Sequence, residues 1–256
     1  ETIKGEFNKN ISTSIDSWSE FEPLGVILGI TPFNFPAMVP LWMFPLAIAA
    51  GNTFILKPSE KDPLSTLILA ELFTEAGLPN GVLNIVNGDK SCVEHLLKDD
   101  RIKAVSFVGS TPVAKEIYKM SSKKRIRCQA LGGAKNHALV LPDANIEDST
   151  KQIIGAAFGS SGQRCMALSV AVVVGEIKDD FVNELVKKTK KLKIGLDIND
   201  SNSFGPLITK DHLEKVKYYI DSSEEEGANI LTDGRDILKS KNSVKGNYLG
   251  ATIIDN

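Results

Sequence analysis

The chain has 256 residues, of which 42% are hydrophobic and 24% are charged, and its formal net charge is -2. These values are typical of a globular protein long enough to bury one large core or two modest ones. The nearly balanced charge favours neither nucleic acid nor an anionic membrane as a partner. Three cysteines, Cys92, Cys128 and Cys165, lie in no CxxC or Cys/His pattern. The sequence therefore predicts no disulfide framework and no metal site, and it favours a reducing compartment.

The N-terminal 50 residues contain two segments of different character. Residues 1–20 are polar and mildly alternating, and we expect them to form an arm outside both domains. The apolar stretch 36–50 is interrupted by Pro40 and Pro45 and is short for a membrane span. It predicts a buried helix with kinks or breaks, in which Trp42 belongs to the core.

From Leu24 to Leu131, short apolar runs alternate with helix-like segments, which predicts a parallel sheet with crossover helices. The predicted strands are Leu24–Ile30, Thr53–Leu56, Val82–Val86, Lys103–Val108 and Ile126–Leu131. The predicted helices are Lys61–Ala76, with Leu64, Leu67, Ile68 and Leu72 on one face, and Pro112–Lys119, which Ser110 or Thr111 can cap.

A second series of strands and helices follows the pair Gly132-Gly133, which is the candidate hinge between two domains. The predicted strands are Ala138–Leu141 and Leu168–Val174, and the predicted helices are Asn145–Phe158, Asp179–Leu192 and Thr209–Ile220. The chain starts at Glu1 without a signal-like segment and stops just after a strand-like run, so we expect it to be cut from a longer protein.

The segment FGSSGQRCMA, residues 158–167, carries the strongest chemical signal. A cysteine after a glycine-rich bend can be held exposed at a domain edge, where positive charge or N–H donors favour a nucleophilic thiolate. Arg164 and backbone amides can provide that help. The alternative is that Cys165 is a small core residue, which is the usual role of a lone cysteine.

Three further segments follow predicted strands, and each also has a plain structural interpretation. In TPFNFP, Asn34 either donates its amide into a cleft or forms a turn. In KPSE, Lys57 and Glu60 either reach a sugar hydroxyl or form a strand-end ion pair. In FVGS, Gly109 and Ser110 either open a helix that receives phosphate or form an ordinary cap. A GxGxxG fingerprint is absent.

These four segments, in this order and spacing, resemble the aldehyde dehydrogenase superfamily over nearly the whole chain. The resemblance implies an α/β fold with a partial oligomerisation arm at residues 1–20. It further implies a Rossmann-like, parallel-sheet NAD-binding domain at residues 21–133 and part of an α/β catalytic domain at residues 134–256. Relatives assemble as homotetramers, which implies a homo-oligomer for the full-length protein.

The resemblance also implies a role for each matching residue. Cys165 is the nucleophile that forms a thiohemiacetal with an aldehyde and then a thioester, and the Asn34 amide and the Cys165 N–H form the oxyanion hole. Lys57 and Glu60 hold the adenosine ribose of NAD, Ser110 contacts the pyrophosphate, and Glu60 disfavours the 2′-phosphate of NADP. The residues assigned to cofactor binding are Thr31, Pro32, Phe33, Lys57, Ser59, Glu60, Gly109 and Ser110.

One position departs from the pattern of hydrolytic relatives, which carry a Glu two residues before the paired glycines. Ala130 occupies that position and cannot act as a general base. Release of the thioester by another thiol is the alternative, and it implies coenzyme A as a co-substrate. The run from residue 36 to 45, the GAKNH run and GQRCMA resemble the methylmalonate-semialdehyde dehydrogenase subfamily, which converts malonate or methylmalonate semialdehyde into acetyl-CoA or propionyl-CoA.

Several alternatives stay open at the level of sequence. Arg164 either binds the substrate carboxylate or forms only a structural pair. For His137 we expect a packing or supporting role. The other functional hypotheses are a hydrolytic NAD(P)-dependent semialdehyde dehydrogenase with a different base, and a non-catalytic nucleotide-binding fragment. The expected compartment is the bacterial cytoplasm, ahead of the mitochondrial matrix.

Overall fold

The structure, a computed structural model, describes residues 4–195, 204–239 and 246–255. The chain divides into two compact units, Glu1–Gly133 and Ala134–Asn256, called here the N-terminal unit and the C-terminal unit. Within the described residues, no helix is both long and apolar enough to cross a membrane.

The N-terminal unit begins with a β-hairpin of strands β1 (Phe7–Ser12) and β2 (Ile15–Trp18). The strands are antiparallel, Phe7 faces Trp18 across the ladder, and the register shifts between Asn8 and Ser12. The sequence predicted an arm here but no strands. The alternation of polar and apolar residues is weak, and left-handed residues such as Asn10 interrupt the regular strand conformation. Residues 1–3 of the predicted arm lie outside the described residues.

A five-stranded sheet forms the centre of the N-terminal unit, and its order is β5-β4-β3-β6-β7 with all neighbours parallel. The strands are β3 (Val26–Ile30), β4 (Thr53–Lys57), β5 (Leu83–Ile85), β6 (Ile102–Val108) and β7 (Arg127–Leu131). The chain adds strands outward from β3 on one side and then returns to add β6 and β7 on the other. This reversal creates a crevice at the carboxyl ends of β3 and β6, where open α/β sheets bind ligands. The predicted α/β fold class is confirmed.

Helices cover both faces of this sheet and bury a separate hydrophobic cluster on each. Along β3 the side chains alternate, so that Leu28 and Ile30 face one cluster and Ile27 faces the other. The first cluster includes residues of α3 and α4, and the second includes residues of α1. The helices are α1 (Met38–Ala49), α2 (Leu64–Glu75), α3 (Lys90–Lys98) and α4 (Thr111–Lys123).

Two sequence predictions about these helices were wrong. Trp42 is 46% exposed instead of lying in the core, because α1 buries only the side that carries residues such as Met43 and Phe44. In α2 the expected apolar face is largely exposed, with Leu72 among its exposed residues. The helix instead packs through Phe73, whose ring meets that of Phe44 edge-on at a centroid distance of 5.0 Å. Helix α3 was not predicted, because it is only nine residues long.

The C-terminal unit contains two small sheets and four helices in the described part. Strands β8 and β9 are parallel, and β10 and β11 are antiparallel. The elements are β8 (Asn136–Val140), α5 (Ile146–Phe158), β9 (Leu168–Val173), α6 (Lys178–Thr189), α7 (Lys210–Glu225), β10 (Asn229–Thr232), α8 (Asp236–Lys239) and β11 (Ile253–Asp255).

The predicted helices of this unit are present, with shifted ends. The side chain of Asn145 caps α5 by accepting a hydrogen bond from the Asp148 N–H at 3.0 Å. Helix α6 ends before Leu192, and α7 continues to Glu225 and buries the predicted Leu213 and Ile220. Strand β10 and helix α8 were not predicted, because each is only four residues long.

Candidate active site

The carboxyl end of β3 leads into the TPFNFP segment at the crevice of the sheet. The N–H of Thr31 continues the ladder by donating to the Lys57 carbonyl at 3.2 Å. The Thr31 hydroxyl is buried and has no hydrogen-bond partner in the described chain. A buried hydroxyl without a partner is costly, so this oxygen is a candidate contact for a bound ligand. Pro32, Phe33 and Asn34 follow in the loop before α1 and are half-buried.

Lys57 ends β4, and its side chain is almost completely buried with 5% of its area exposed. The ammonium group donates to the Gly88 carbonyl at 2.9 Å and lies 3.3 Å from a carboxylate oxygen of Glu60. Charged groups are rarely buried without partners. The Gly88 carbonyl and the Glu60 carboxylate are the partners that allow the Lys57 ammonium to be buried. Lys57 and Glu60 therefore form the predicted strand-end ion pair, with half of the Glu60 side chain exposed.

The carboxylate of Glu60 is held in its charged form. Partial burial raises the pKa of Glu60, but hydrogen bonds from its own N–H and from Lys57, with the positive charges of Lys57 and Lys61, outweigh burial. The pKa therefore lies below its ordinary value. Ser59, also buried, accepts a hydrogen bond from the Lys61 N–H at 3.3 Å. A fixed negative charge beside a buried cation can accept hydrogen bonds from a sugar diol.

Gly88 was missed by the sequence analysis, although it follows β5 at the same edge of the sheet. A Cβ atom at this position would lie 2.5 Å from the Cβ of Cys92. The signal available in the sequence was a glycine two residues after the third predicted strand. Its carbonyl matters because it orients the Lys57 ammonium.

Gly109 and Ser110 lie between β6 and α4. A Cβ atom on Gly109 would come within 2.5 Å of the Phe107 ring, so only glycine fits there. Ser110 occupies the N-cap position, but its side chain makes no capping hydrogen bond. Thr111 does not cap α4 either, since its hydroxyl accepts from the Gly133 N–H at 2.9 Å. The uncapped first turn of α4 can offer N–H groups to an anion.

The loop before Cys165 has an unusual backbone conformation. Ser160, Ser161 and Gly162 have φ values of 54°, 55° and 69°, which form a left-handed turn. Left-handed conformations of residues with a Cβ cost about 1–2 kcal/mol each, so this turn must be held by other contacts. The Ser161 hydroxyl donates to the Gly205 carbonyl, and the Gln163 side chain accepts from the Ile208 N–H at 3.1 Å.

A second set of hydrogen bonds holds the loop after Cys165. The Ala167 N–H donates to the Arg164 carbonyl at 3.1 Å and closes a turn in which Cys165 is the second residue. The side-chain amide of Asn136 donates to the carbonyls of Cys165 and Ala167, both at 3.0 Å. Asn136 belongs to the GAKNH run, but the sequence analysis did not single it out, because its contact is 29 residues away along the chain.

The side chains around Cys165 differ in exposure. The thiol-bearing residue is half-buried, and Arg164 is exposed. A Cβ atom on Gly159 would lie 2.9 Å from the guanidinium of Arg164, so the guanidinium packs directly over this glycine. His137 is exposed, and its Nδ1 lies 2.9 Å from the Lys135 carbonyl oxygen. The supporting or packing role expected for His137 therefore stays a prediction.

Ala130 lies on the edge strand β7, opposite Phe107 of β6. Its methyl group is half-buried and packs against the first hydrophobic cluster. Strand β7 contains no carboxylate at any position from Arg127 to Leu131. This strand therefore supplies no general base in place of the missing Glu.

The sequence profile of the aldehyde dehydrogenase family matches residues 1–256. The chain belongs to this family. Among curated members, a malonate-semialdehyde dehydrogenase of Pseudomonas aeruginosa is 54% identical over 256 residues, covering 100% of this chain and 51% of that protein. Malonate-semialdehyde dehydrogenase 1 of Oceanobacillus iheyensis is also 54% identical, over 99% of this chain and 52% of that protein. The chain thus spans about half the length of these curated relatives.

Two solved structures of aldehyde dehydrogenases resemble the fold closely. The crystal structure of methylmalonate-semialdehyde dehydrogenase from Oceanimonas doudoroffii has a TM-score of 0.94 and 58% identity over 98% of this chain and 52% of its own. A putative methylmalonate-semialdehyde dehydrogenase from Sinorhizobium meliloti, solved with NAD, has a TM-score of 0.94 and 46% identity over 98% of this chain and 51% of its own. The predicted family and subfamily resemblance are confirmed.

The structure brings together some of the predicted site residues. Lys57, Ser59 and Glu60 lie at the end of β4, and Thr31 is joined to Lys57 through the ladder. Asn34 belongs to the N-terminal unit and Cys165 to the C-terminal unit. Their cooperation in an oxyanion hole therefore stays a prediction.

Proposed function

We propose that the complete protein carrying this chain catalyses the NAD-dependent, coenzyme A-acylating oxidation of malonate or methylmalonate semialdehyde. The products are acetyl-CoA or propionyl-CoA, with the substrate carboxylate released as carbon dioxide or bicarbonate. The observation that carries the proposal is the combination of a hydrogen-bonded loop for Cys165 with an alanine at position 130. The substrate class is supported by the malonate-semialdehyde dehydrogenases that are 54% identical to the chain.

The residues at the crevice of the N-terminal unit fit NAD. The Lys57–Glu60 pair offers a cation and a carboxylate for the adenosine ribose, and the uncapped N-terminus of α4 after Gly109 suits the pyrophosphate. The partnerless Thr31 hydroxyl is a further donor or acceptor at the same edge. The negative charge of Glu60 disfavours the 2′-phosphate of NADP. The chemistry that NAD supplies when bound is acceptance of a hydride.

Cys165 carries the covalent chemistry. Its thiolate attacks the aldehyde carbon to form a thiohemiacetal, and the carbonyl oxygen becomes an oxyanion. The Asn34 amide and the Cys165 N–H donate to that oxygen and stabilise the charge as it develops. Loss of hydride from the thiohemiacetal to the cofactor leaves a β-carboxy thioester on the Cys165 sulfur. Its carboxylate leaves as carbon dioxide, the electron pair of the broken C–C bond forms the thioester enolate, and a proton from water converts this enolate into the acetyl or propionyl thioester.

Ala130 decides how the thioester is released. Hydrolysis needs a base that removes a proton from water, and a methyl group cannot do this. A thiol ionises far more readily than water, so the coenzyme A thiolate attacks the thioester carbon without such a base. The Cys165 thiolate leaves, the acyl group is transferred to coenzyme A, and the enzyme is regenerated.

We further propose that Arg164 recognises the substrate carboxylate. Its guanidinium packs over Gly159 and is exposed one residue before the nucleophile. A guanidinium binds a carboxylate through two parallel hydrogen bonds, which lysine cannot reproduce. We expect Arg164→Lys to raise KM for malonate semialdehyde and to leave KM for propionaldehyde, which lacks the carboxylate, unchanged. Equal effects on both aldehydes assign Arg164 a structural role.

The decisive experiment measures NADH formation by the complete protein with malonate semialdehyde, with and without coenzyme A, beside Cys165→Ala. We expect steady turnover only when coenzyme A and Cys165 are both present, and a single burst of NADH when coenzyme A is omitted. Steady formation of free acid without coenzyme A contradicts the acylating mechanism. Full activity of Cys165→Ala contradicts the assignment of the nucleophile.

We also propose that the complete protein forms a homotetramer, to which residues 1–20 contribute part of an arm. The β1–β2 hairpin supports this, because Phe7 and Trp18 pair on it and are exposed. Light scattering of the double variant Phe7→Ser/Trp18→Ser in the complete protein tests this proposal. We expect the tetramer to dissociate if the arm joins the subunits.

We propose a cytoplasmic location for the complete protein. The three cysteines are free thiols and the relatives are bacterial, which supports this location, and cell fractionation can test it.

A further inference from the structure

We infer that Asn136 is a positioning residue for the nucleophile, an inference that rests on the proposed function of Cys165. The side-chain amide of Asn136 spans from β8 to the turn that carries Cys165. It donates both of its hydrogens, one to the carbonyl of Cys165 and one to the carbonyl of Ala167.

The chemistry of the two acceptors determines which end of the amide faces the turn. Carbonyl oxygens accept hydrogen bonds and never donate them, so only the nitrogen of the Asn136 amide can lie 3.0 Å from both. The amide thus uses its complete donor capacity on one short segment. Replacing the nitrogen by an oxygen converts both attractions into repulsions.

The position of these acceptors explains why the amide affects the thiol. The carbonyls belong to the second and fourth residues of the turn that the Ala167 N–H closes onto the Arg164 carbonyl. The hydrogen bond that closes the turn does not involve the peptide group between Cys165 and Met166, whereas the Asn136 amide bonds to the carbonyl of that group and resists its rotation. Since the backbone angles of Cys165 set the direction of its Cα–Cβ bond, the amide helps to aim the sulfur.

The backbone around Asn136 shows that the ladder alone does not provide this support. Asn136 pairs with Leu168 and His137 pairs with Val170, so β9 has one extra residue and the register shifts at this point. Such a bulge interrupts the regular ladder bonds and re-aims the strand. At the interruption, the side chain of Asn136 bonds to backbone carbonyls just before β9 begins.

Upstream of Cys165, the loop is held separately by Ser161 and Gln163, which bond to residues 205–208. Asn136 is therefore the anchor on the downstream side. With the upstream anchors intact, loss of Asn136 leaves the loop folded but allows the sulfur to move. A displacement of the reacting atom by about 1 Å can cost on the order of 100-fold in rate.

The test compares Asn136→Asp and Asn136→Gln in the complete protein, using the burst of NADH formed with malonate semialdehyde. Asn136→Asp keeps the shape and removes both donors, and we expect its burst rate to fall about 10- to 100-fold. Asn136→Gln keeps the donors on a longer stem, and we expect it to recover part of the rate. Alkylation of Cys165 by iodoacetamide needs only an accessible thiolate, so we expect it to change by less than about threefold.

Asn145→Ala is the matched control, because Asn145 is another asparagine of the C-terminal unit that caps α5 and does not bond to the nucleophile turn. We expect it to lower the thermal midpoint and to leave the burst rate of the folded protein unchanged. A burst rate for Asn136→Asp within about twofold of the parent protein overturns the inference. A second result also overturns the inference. If both Asn136 variants lose the burst equally and iodoacetamide also labels Cys92 and Cys128, the variants are unfolded, and Asn136 then supports folding and does not position the sulfur. NADH formation by Cys165→Ala refutes the proposed function instead, whatever Asn136 does.

Discussion

In the N-terminal unit the candidate cofactor residues follow buried parallel strands, whereas in the C-terminal unit the loop with Cys165 follows a helix. The first arrangement is held by the sheet ladder and by apolar packing against glycines. Gly29 and Gly109 leave room for the rings of Phe54 and Phe107. The second arrangement is held by side-chain hydrogen bonds to backbone carbonyls, including those of Asn136 and Ser161.

Because the two units are held in different ways, we expect substitutions in them to have different effects. A close-packed core transmits any added volume to its neighbours, so substitutions in the N-terminal unit are expected to change folding first. Hydrogen bonds to a loop act on a few atoms, so substitutions in the C-terminal unit are expected to change geometry first. Substitutions in each unit test whether this division holds.

The largest expected effect comes from Gly29→Ala. The added methyl group would lie 2.5 Å from the buried Phe54 ring, which cannot move aside. We expect a loss of about 2–3 kcal/mol in the free energy of unfolding, measured by urea denaturation. Gly155→Ala is the control, since nothing lies within 4 Å of its Cβ position and α5 should gain about 0.5–1 kcal/mol. Similar effects at both sites would contradict the packing argument.

An intermediate effect is expected for Lys57→Met, which keeps the length of the side chain and removes its charge. The Gly88 carbonyl and the Glu60 carboxylate then lose a charged donor. We expect the Kd for NAD to rise about tenfold or more, measured by fluorescence titration of the complete protein. Lys103→Met is the control, because Lys103 also donates to a carbonyl, that of Asp100, but lies near the start of β6. Unchanged NAD affinity in Lys57→Met removes Lys57 from the cofactor site.

The smallest effect is expected in the left-handed turn before Cys165. Ser160→Gly relieves a strained backbone at an exposed residue, and we expect a gain of about 0.5–1 kcal/mol in stability. Ser161→Gly relieves the same strain but removes the hydroxyl that bonds to Gly205, so its gain should disappear. Thermal unfolding of both variants checks this difference. Equal gains would mean that the Ser161 hydroxyl does not hold the turn.

Much of the fold could be predicted from local pattern, with errors where burial depends on neighbours. The short apolar runs at β3 and β6 and their alternation with helix-like segments predicted the parallel sheet. The face of α2 was wrong, because leucines repeat along one side while Phe73 on another side meets Phe44. Trp42 was wrong for the same reason, since an apolar helix does not indicate which of its sides the sheet covers.

The candidate site also contains residues that a local motif predicts and residues that no local motif predicts. Lys57, Glu60 and Cys165 could be named because each lies in a short motif next to a predicted strand or helix. Gly88 and Asn136 could not, because their contacts, with Lys57 and Cys165, join residues 31 and 29 positions apart. No local pattern encodes such a contact when the residue itself is only a glycine or an asparagine.

By itself, the sequence determined the family, the alternation of strands and helices in the parallel sheet and the alanine at position 130, since each is a property of residue type and spacing. Only the tertiary structure decided which helix faces are buried, which carbonyl holds the Lys57 ammonium and which amide holds the turn of Cys165. The reason is physical. Hydrogen bonds and apolar contacts act over a few ångströms in space, and distance along the chain does not report that proximity until the chain has folded.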